Sequence, residues 1–242
     1  MGVASYKTRV KLGGTSTTFT GAAASYVETD GDGYFIYQMD DDWKRVWDRT
    51  VDVTVHDGVT ELDADDIHNI NYLFGLISFS TEVGTDGTDG TITIDGSYIP
   101  VSEGEDDPDD PGTPLDDSRI AYCNSYSLNV EAAILDKTGF KEAQASSGMR
   151  MKEAGIFDSS VTLGGFGRVS TQISTAFHAR TPVLIEIIPG NGVETFRGWY
   201  VVETDSLSGS VDDLETADIS FQLDTGYVTD GYAVSMGWSD LV

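Results

Sequence analysis

Strict alternation of apolar and polar positions opens the chain. Tyr6, Thr8, Val10 and Leu12 point to one side of an extended segment, and Lys7, Arg9 and Lys11 to the other. The same period of two returns over 47–56. There Trp47, Arg49, Val51, Val53 and Val55 share a face, and Asp48, Thr50, Asp52 and Thr54 share its opposite. Further strands are predicted over 34–39, 76–79, 91–99, 122–131, 161–163, 183–188, 196–202 and 219–223. Turn chemistry separates them, as in Asp30-Gly31-Asp32-Gly33 and Pro189-Gly190-Asn191-Gly192. About ten short strands so spaced predict a mainly β fold, two packed antiparallel sheets in a sandwich or barrel-like arrangement.

Helical period dominates in one place only, 168–179. Val169, Ile173, Ala176 and Phe177 form one apolar stripe that would pack on a sheet, with Gly167 before it and Pro182 after it. A single further turn of helix is expected over 63–69, where Asp65 and Asp66 would suit a helix N-terminus. Segment 102–118 has no period at all. It holds eight acidic residues and three of the six prolines, which marks a long acidic loop. Neither side of it reads as a self-sufficient fold and no repeat is visible, so residues 1–242 are read as one domain.

Charge changes the picture more than any motif. Forty-one acidic residues face fourteen basic ones, for a formal charge of -27 and a pI near 4.1. In dilute buffer such a chain repels itself; in molar salt the Debye length falls to about 3 Å and the repulsion is screened. With 10% aromatic residues and clear strand periods, the composition is that of a folded protein adapted to salt, not of a disordered acidic chain. It also lacks the basic face that neutralises phosphates, so specific nucleic-acid binding is not expected. No run is long and apolar enough for a membrane span, and MGVASYKTRV has no apolar signal core, so neither membrane nor leader is expected.

Candidate chemistry is thin. Cys123 is alone, which removes disulfides and thiolate clusters. His56, His68 and His178 lie on different elements without ligand spacing, and Asp65, Asp66 and His68 read better as an exposed acidic turn than as a metal site. Leu163-Gly164-Gly165-Phe166-Gly167 lacks the lysine of a phosphate-binding loop and is read as a flexible entry into the helix. The Asp–Gly turns at 29–33 and 84–90 lack the spacing of a calcium loop and are read as solvated hairpins. No catalytic residue, cofactor or metal is therefore expected. The stripe of Lys7, Arg9 and Lys11 holds two of the six lysines; a solvated strand face and a contact with acidic groups of a neighbouring subunit are both open readings.

The order of the segments carries more than any one of them. INYLFGLISF (70–79) precedes ITIDGSY (92–98); SYSL (125–128) and LDKTGF (135–140) follow the acidic loop. GIFDSSVTLGGF (155–166) leads through the helix into RTPVLIEI (180–187), and GWYVVE (198–203), SGSVDDL (208–214) and ISFQL (219–223) close the pattern. Over roughly residues 50–225 this order resembles the major tail tube protein of long-tailed viruses. The resemblance implies two packed antiparallel sheets with one flanking helix. It implies subunits in rings, usually of six, stacked into a tube through which viral DNA passes without specific binding. Loops and termini would bridge rings, which makes Lys7, Arg9, Lys11 and the loop acids Asp106, Asp107, Asp109 and Asp110 assembly candidates. Partners would be further copies and the terminator, tape measure and baseplate proteins of a virion tail. The long acidic loop and the Asp bias depart from the pattern and fit a virus whose host lives in brine, such as a haloarchaeon. The alternative is a secreted or surface β-sandwich module of a halophile that binds carbohydrate through Trp43, Trp47 or Trp199. A hydrolase working through an Asp pair is a third reading, with no pair to name.

Overall fold

The computed structural model describes residues 9–83, 92–101, 123–136, 152–166, 171–189, 194–208, 216–224 and 236–239. Within them fourteen strands form two seven-stranded antiparallel sheets. The first contains β1 (Arg9–Leu12), β11 (Val183–Ile188), β12 (Phe196–Ser208), β13 (Thr216–Leu223), β10 (Lys152–Phe166) and β9 (Cys123–Asp136) in that order, with β14 (Met236–Trp238) paired to β12. The second runs β5 (Thr60–Glu61), β4 (Thr54–Asp57), β8 (Ile92–Tyr98), β2 (Thr17–Thr29), β3 (Phe35–Met39), β7 (Leu76–Phe79), β6 (Ile67–Asn71). The described residues are mainly β with one α-helix, Thr171–Ala179, within the span where the periodicity predicts one.

Each sheet encloses a core of its own, and a third cluster joins them. Leu12, Val161, Leu163, Ile185, Tyr200 and Phe221 line the inside of the first sheet, where Ile173 and Ala176 of the helix close over them. Phe19, Met39, Trp47, Val55, Tyr72 and Phe79 fill the concavity of the second. On the opposite face of each sheet, Leu184 and Trp199 meet Ile36, Leu73, Phe74 and Ile99. Period-2 alternation puts Leu184 on the face opposite Val183 and Ile185, so β11 serves two cores at once, which is why Val-Leu-Ile-Glu-Ile-Ile is nearly continuously apolar. Gly13 carries the chain between the sheets. Its N–H donates to the Leu184 carbonyl at 2.9 Å, and a Cβ there would lie 2.5 Å from Ile99 Cγ2 and 2.8 Å from Leu184 Cβ.

Several expectations are corrected. The strand expected over 47–56 survives only as Thr54–Asp57 and an isolated bridge from Trp47 to Tyr98. Asp48 breaks it: its side chain accepts the backbone N–H of Thr50 at 3.0 Å and the Thr50 hydroxyl at 2.7 Å, while its carbonyl takes the Val51 N–H, which turns the backbone out of the ladder. The helical turn expected over 63–69 is a tight turn closed by Asp66 N–H on Asp63 O, followed by β6. The glycines at 164 and 165 lie inside β10, paired to β9 and β13, and do not lead into a helix. Gly164 lets Ser125 and Asp218 close in from the two flanking strands, since a Cβ would meet Ser125 Oγ at 2.6 Å. In the helix, Phe177 is partly exposed and leaves the stripe to Ile173 and Ala176. The helix ends on Arg180 at φ 54, with Thr181 N–H on Ala176 O and Arg180 N–H on Phe177 O, a left-handed cap that Pro182 follows.

Candidate functional site

Two surfaces concentrate the polar chemistry of the described residues. The first is internal. Register places Lys11 of β1 opposite Glu186 of β11, and Glu186 opposite Arg197 of β12. Their side chains connect across the strands. Lys11 Nζ is 3.5 Å from Glu186 Oε1, and Arg197 Nε donates to Glu186 Oε2 at 2.7 Å. All three are enclosed where the two sheets meet, with Lys11 and Glu186 almost inaccessible. Arg197 then reaches the second sheet. Its Nη1 donates to the Leu73 carbonyl at 2.8 Å and its guanidinium lies 5.1 Å from the centre of the Phe74 ring. Arg49 makes the reciprocal tie from the second sheet, pairing with the Asp224 carboxylate and lying 4.9 Å from the centre of the Trp199 ring. A buried acid between two cations, with Arg197 hydrogen-bonded onward to the second sheet, fixes how the sheets register on one another.

Of the assembly candidates, Lys11 lies in the sheet junction, buried against Glu186, which corrects the reading of it as a solvated strand residue. Arg9 lies on β1, and Lys7, Asp106, Asp107, Asp109 and Asp110 lie outside the described residues. The Asp–Gly turn at 84–90 lies outside them too. Of the tryptophans weighed as sugar platforms, Trp47 and Trp199 are buried in the cores, and Trp43 stands edge-on to Tyr98 with Lys44 over its ring. A lone glutamate inside the apolar run 183–188 was the sequence signal for the junction. It points to a buried partner, because a charge placed among five apolar neighbours must be paired.

The second surface is external. The face that carries Leu184, Arg197 and Trp199 under the second sheet continues outward over β12, β13, β10 and β9 and changes character. Register aligns rows across it: Asn129, Ser160, Gln222 and Val201; then Ser127, Thr162, Ser220 and Thr204; then Ser125, Gly164, Asp218 and Ser206. Glu131 and Asp158 form a pair beyond the first row. Side chains bond from the first row to this pair, Gln222 Nε2 to Asp158 Oδ1 at 2.6 Å and Asn129 Nδ2 to Glu131 Oε1 at 2.6 Å. Segments 125–131, 158–164, 201–206 and 218–222, which make up this face, contain neither lysine nor arginine. At its border β9 pairs only with β10 among the described residues, and β1 borders the other end of the same sheet.

No family model matches the chain, and no curated protein matches it. Nine chains of solved structures do. One belongs to the virion of a native gene transfer agent particle: it is 14% identical, with a TM-score of 0.38, over 45% of this chain and 84% of that one. Another belongs to the tail of an empty gene transfer agent particle with C6 symmetry. It is 16% identical with a TM-score of 0.39, over 46% of this chain and 83% of its own length.

Proposed function

We propose that the chain is a structural, non-enzymatic virion protein that assembles with its own copies into stacked rings, forming the hollow tail tube that conducts viral DNA. The observation that carries this reading is the cation-free face of β9, β10, β13 and β12. Hydroxyls, amides and carboxylates arrayed on rigid strands offer water and repulsion to a duplex but no phosphate contact. A duplex can therefore pass without releasing counterions and without being gripped. The ordered resemblance over residues 50–225 supports the same role. So do the sheet's borders among the described residues: β1 and β9 lie at opposite ends of one sheet, and joining β9 of one subunit to β1 of the next gives a head-to-tail contact that closes into a ring when the rotation permits.

In this reading residues 1–242 act as one domain, six copies form a ring, and Arg9, Lys7 and the loop acids Asp106, Asp107, Asp109 and Asp110 contact neighbouring copies. Rings at the tube ends meet terminator, tape measure and baseplate proteins, and the net charge of -27 suits assembly in the brine-adapted cytoplasm of a halophilic host. Electron microscopy of the purified protein in molar salt tests the proposal. Hollow tubes or stacked rings support it. Monomers that stay dispersed at high concentration overturn it.

A further inference from the structure

Where the second sheet meets β14 there is a cleft of about 430 Å³, within the ~300–1,000 Å³ range of small-molecule sites. Ile36 and Leu76 form its apolar floor. Register places Asn69 opposite Ser78 and Asn71 opposite Leu76, so two amides and a hydroxyl rise from the same sheet face as the floor. Trp238 of β14 forms the wall. Its ring is held by an edge contact with Phe196, 5.2 Å between centroids at 62°. At the rim the imidazole of His68 stacks on Tyr34 at 3.6 Å, nearly parallel. Asp30 stands beside it, fixed by accepting the N–H groups of Asp32 and Tyr34 on one carboxylate oxygen.

The hydrogen-bonding capacity of this cleft is largely unspent among the described residues. Asn71 uses its amide oxygen on the Leu73 N–H at 3.1 Å, which aims its NH2 group; Asn69 and Ser78 make no side-chain bond to another described residue. Among the described residues no lysine or arginine lines the space, so a phosphate or carboxylate finds no counter-charge on them. Three neutral polar groups against one half-used carboxylate favour a neutral ligand over a cation. The ligand must offer hydroxyls to amides on one side and C–H groups to an indole and two aliphatic chains on the other. We propose that this cleft binds a neutral mono- or disaccharide, with Trp238 as the platform and Asn69, Asn71 and Asp30 as the hydroxyl-reading groups. The site lies apart from the cation-free face and does not depend on the tube reading.

The test is tryptophan fluorescence of the full chain in molar salt, which reads monomer and assembly alike, taking the part of the signal that the Trp238→Phe variant lacks. Glucose, galactose, mannose, N-acetylglucosamine, maltose and lactose are each titrated to about 100 mM, far past a Kd of ~1 mM. At least one sugar is expected to shift that signal saturably. The N69A/N71A variant, shown folded by circular dichroism, is expected to bind that sugar at least about tenfold more weakly, and the W43A variant to bind it unchanged. Absence of a saturable shift with every sugar overturns the proposal. So does full binding by N69A/N71A, or a shift produced by spermidine and not by any sugar.

Discussion

Glu186 Oε2 accepts the Nε–H of Arg197 at 2.7 Å while its other oxygen faces Lys11, so one buried carboxylate ties three neighbouring strands. Removing it leaves two cations in an interior with nothing to balance them. Breaking such a pair costs roughly 3–5 kcal/mol, because the orphaned charge keeps its desolvation penalty. Glu186→Ala is therefore expected to lower unfolding free energy by about 3 kcal/mol or more in urea titrations run in molar salt. Asp42→Ala removes a pair of similar length, Arg45 Nη1 to Asp42 at 2.5 Å, but with the Asp42 side chain 82% exposed. That loss should stay under about 1 kcal/mol. Equal losses in the two variants would show that the junction ladder contributes no more than a surface ion pair.

Gly13 sets how closely the sheets approach. A methyl group at this position overlaps Leu184 Cβ, an atom that cannot rotate away, as well as Ile99 Cγ2. Overpacking of this kind costs about 1–3 kcal/mol. Gly13→Ala should lower the urea midpoint with little change in the slope, since the surface exposed on unfolding is the same. A variant as stable as the parent would mean that the junction is loosely packed.

These two positions also mark what was legible in the sequence. Strands rich in hydrophobic residues of full size, alternating as in β8 or nearly continuous as in β3, β7 and β11, are visible in it. β2 is not, although at thirteen residues it is among the longest. Its inward positions after Phe19 are alanines, Ala22 and Ala24, which carry little strand signal. A bulge at Gly21, φ +62, shifts the period between Phe19 and Ala22. Lys11 was read from its own strand, on which it looks like a surface cation. Glu186, which it meets, and Arg197 beyond lie far away in the second half of the chain, and only strand order brings them together. The cation-free face is invisible for the same reason: its rows come from four strands, and each contributes alternate residues that read locally as ordinary solvated positions.

Tyr200 gives a pH signature. It is fully buried, and burial above all, with the nearby Asp158 carboxylate, pushes its phenol up to about 12, against the opposing effect of its 2.8 Å hydrogen bond with Ser159. The unfolded chain loses this proton near pH 10 while the native protein keeps it. Between pH 10 and 12 the native state therefore binds more protons, and stability falls as pH rises. The full effect is roughly 2–3 kcal/mol. Urea titrations of the parent and Tyr200→Phe from pH 8 to about 12 should show a shallower alkaline decline in the variant. Parallel declines would rule out Tyr200 as its source.

Val130 tests the border of the first sheet that β9 forms among the described residues. It lies on β9 with Tyr126 and Leu128, on the face that carries the helix-covered core, but Tyr126 and Val130 project beyond that cover and are 38% and 47% exposed. An apolar row on an unpaired edge strand is a template for another chain, and a lysine is a common natural block to such pairing. Val130→Lys removes little buried area, so its stability should stay within about 0.5 kcal/mol of the parent. If β9 joins β1 of the next copy, sedimentation and electron microscopy in molar salt should find this variant folded but unassembled. High salt matters to the result: it screens the new charge against a partner of charge -27, so a failure to assemble would report the blocked edge and not long-range attraction or repulsion. A variant that assembles as well as the parent would place the subunit contact elsewhere.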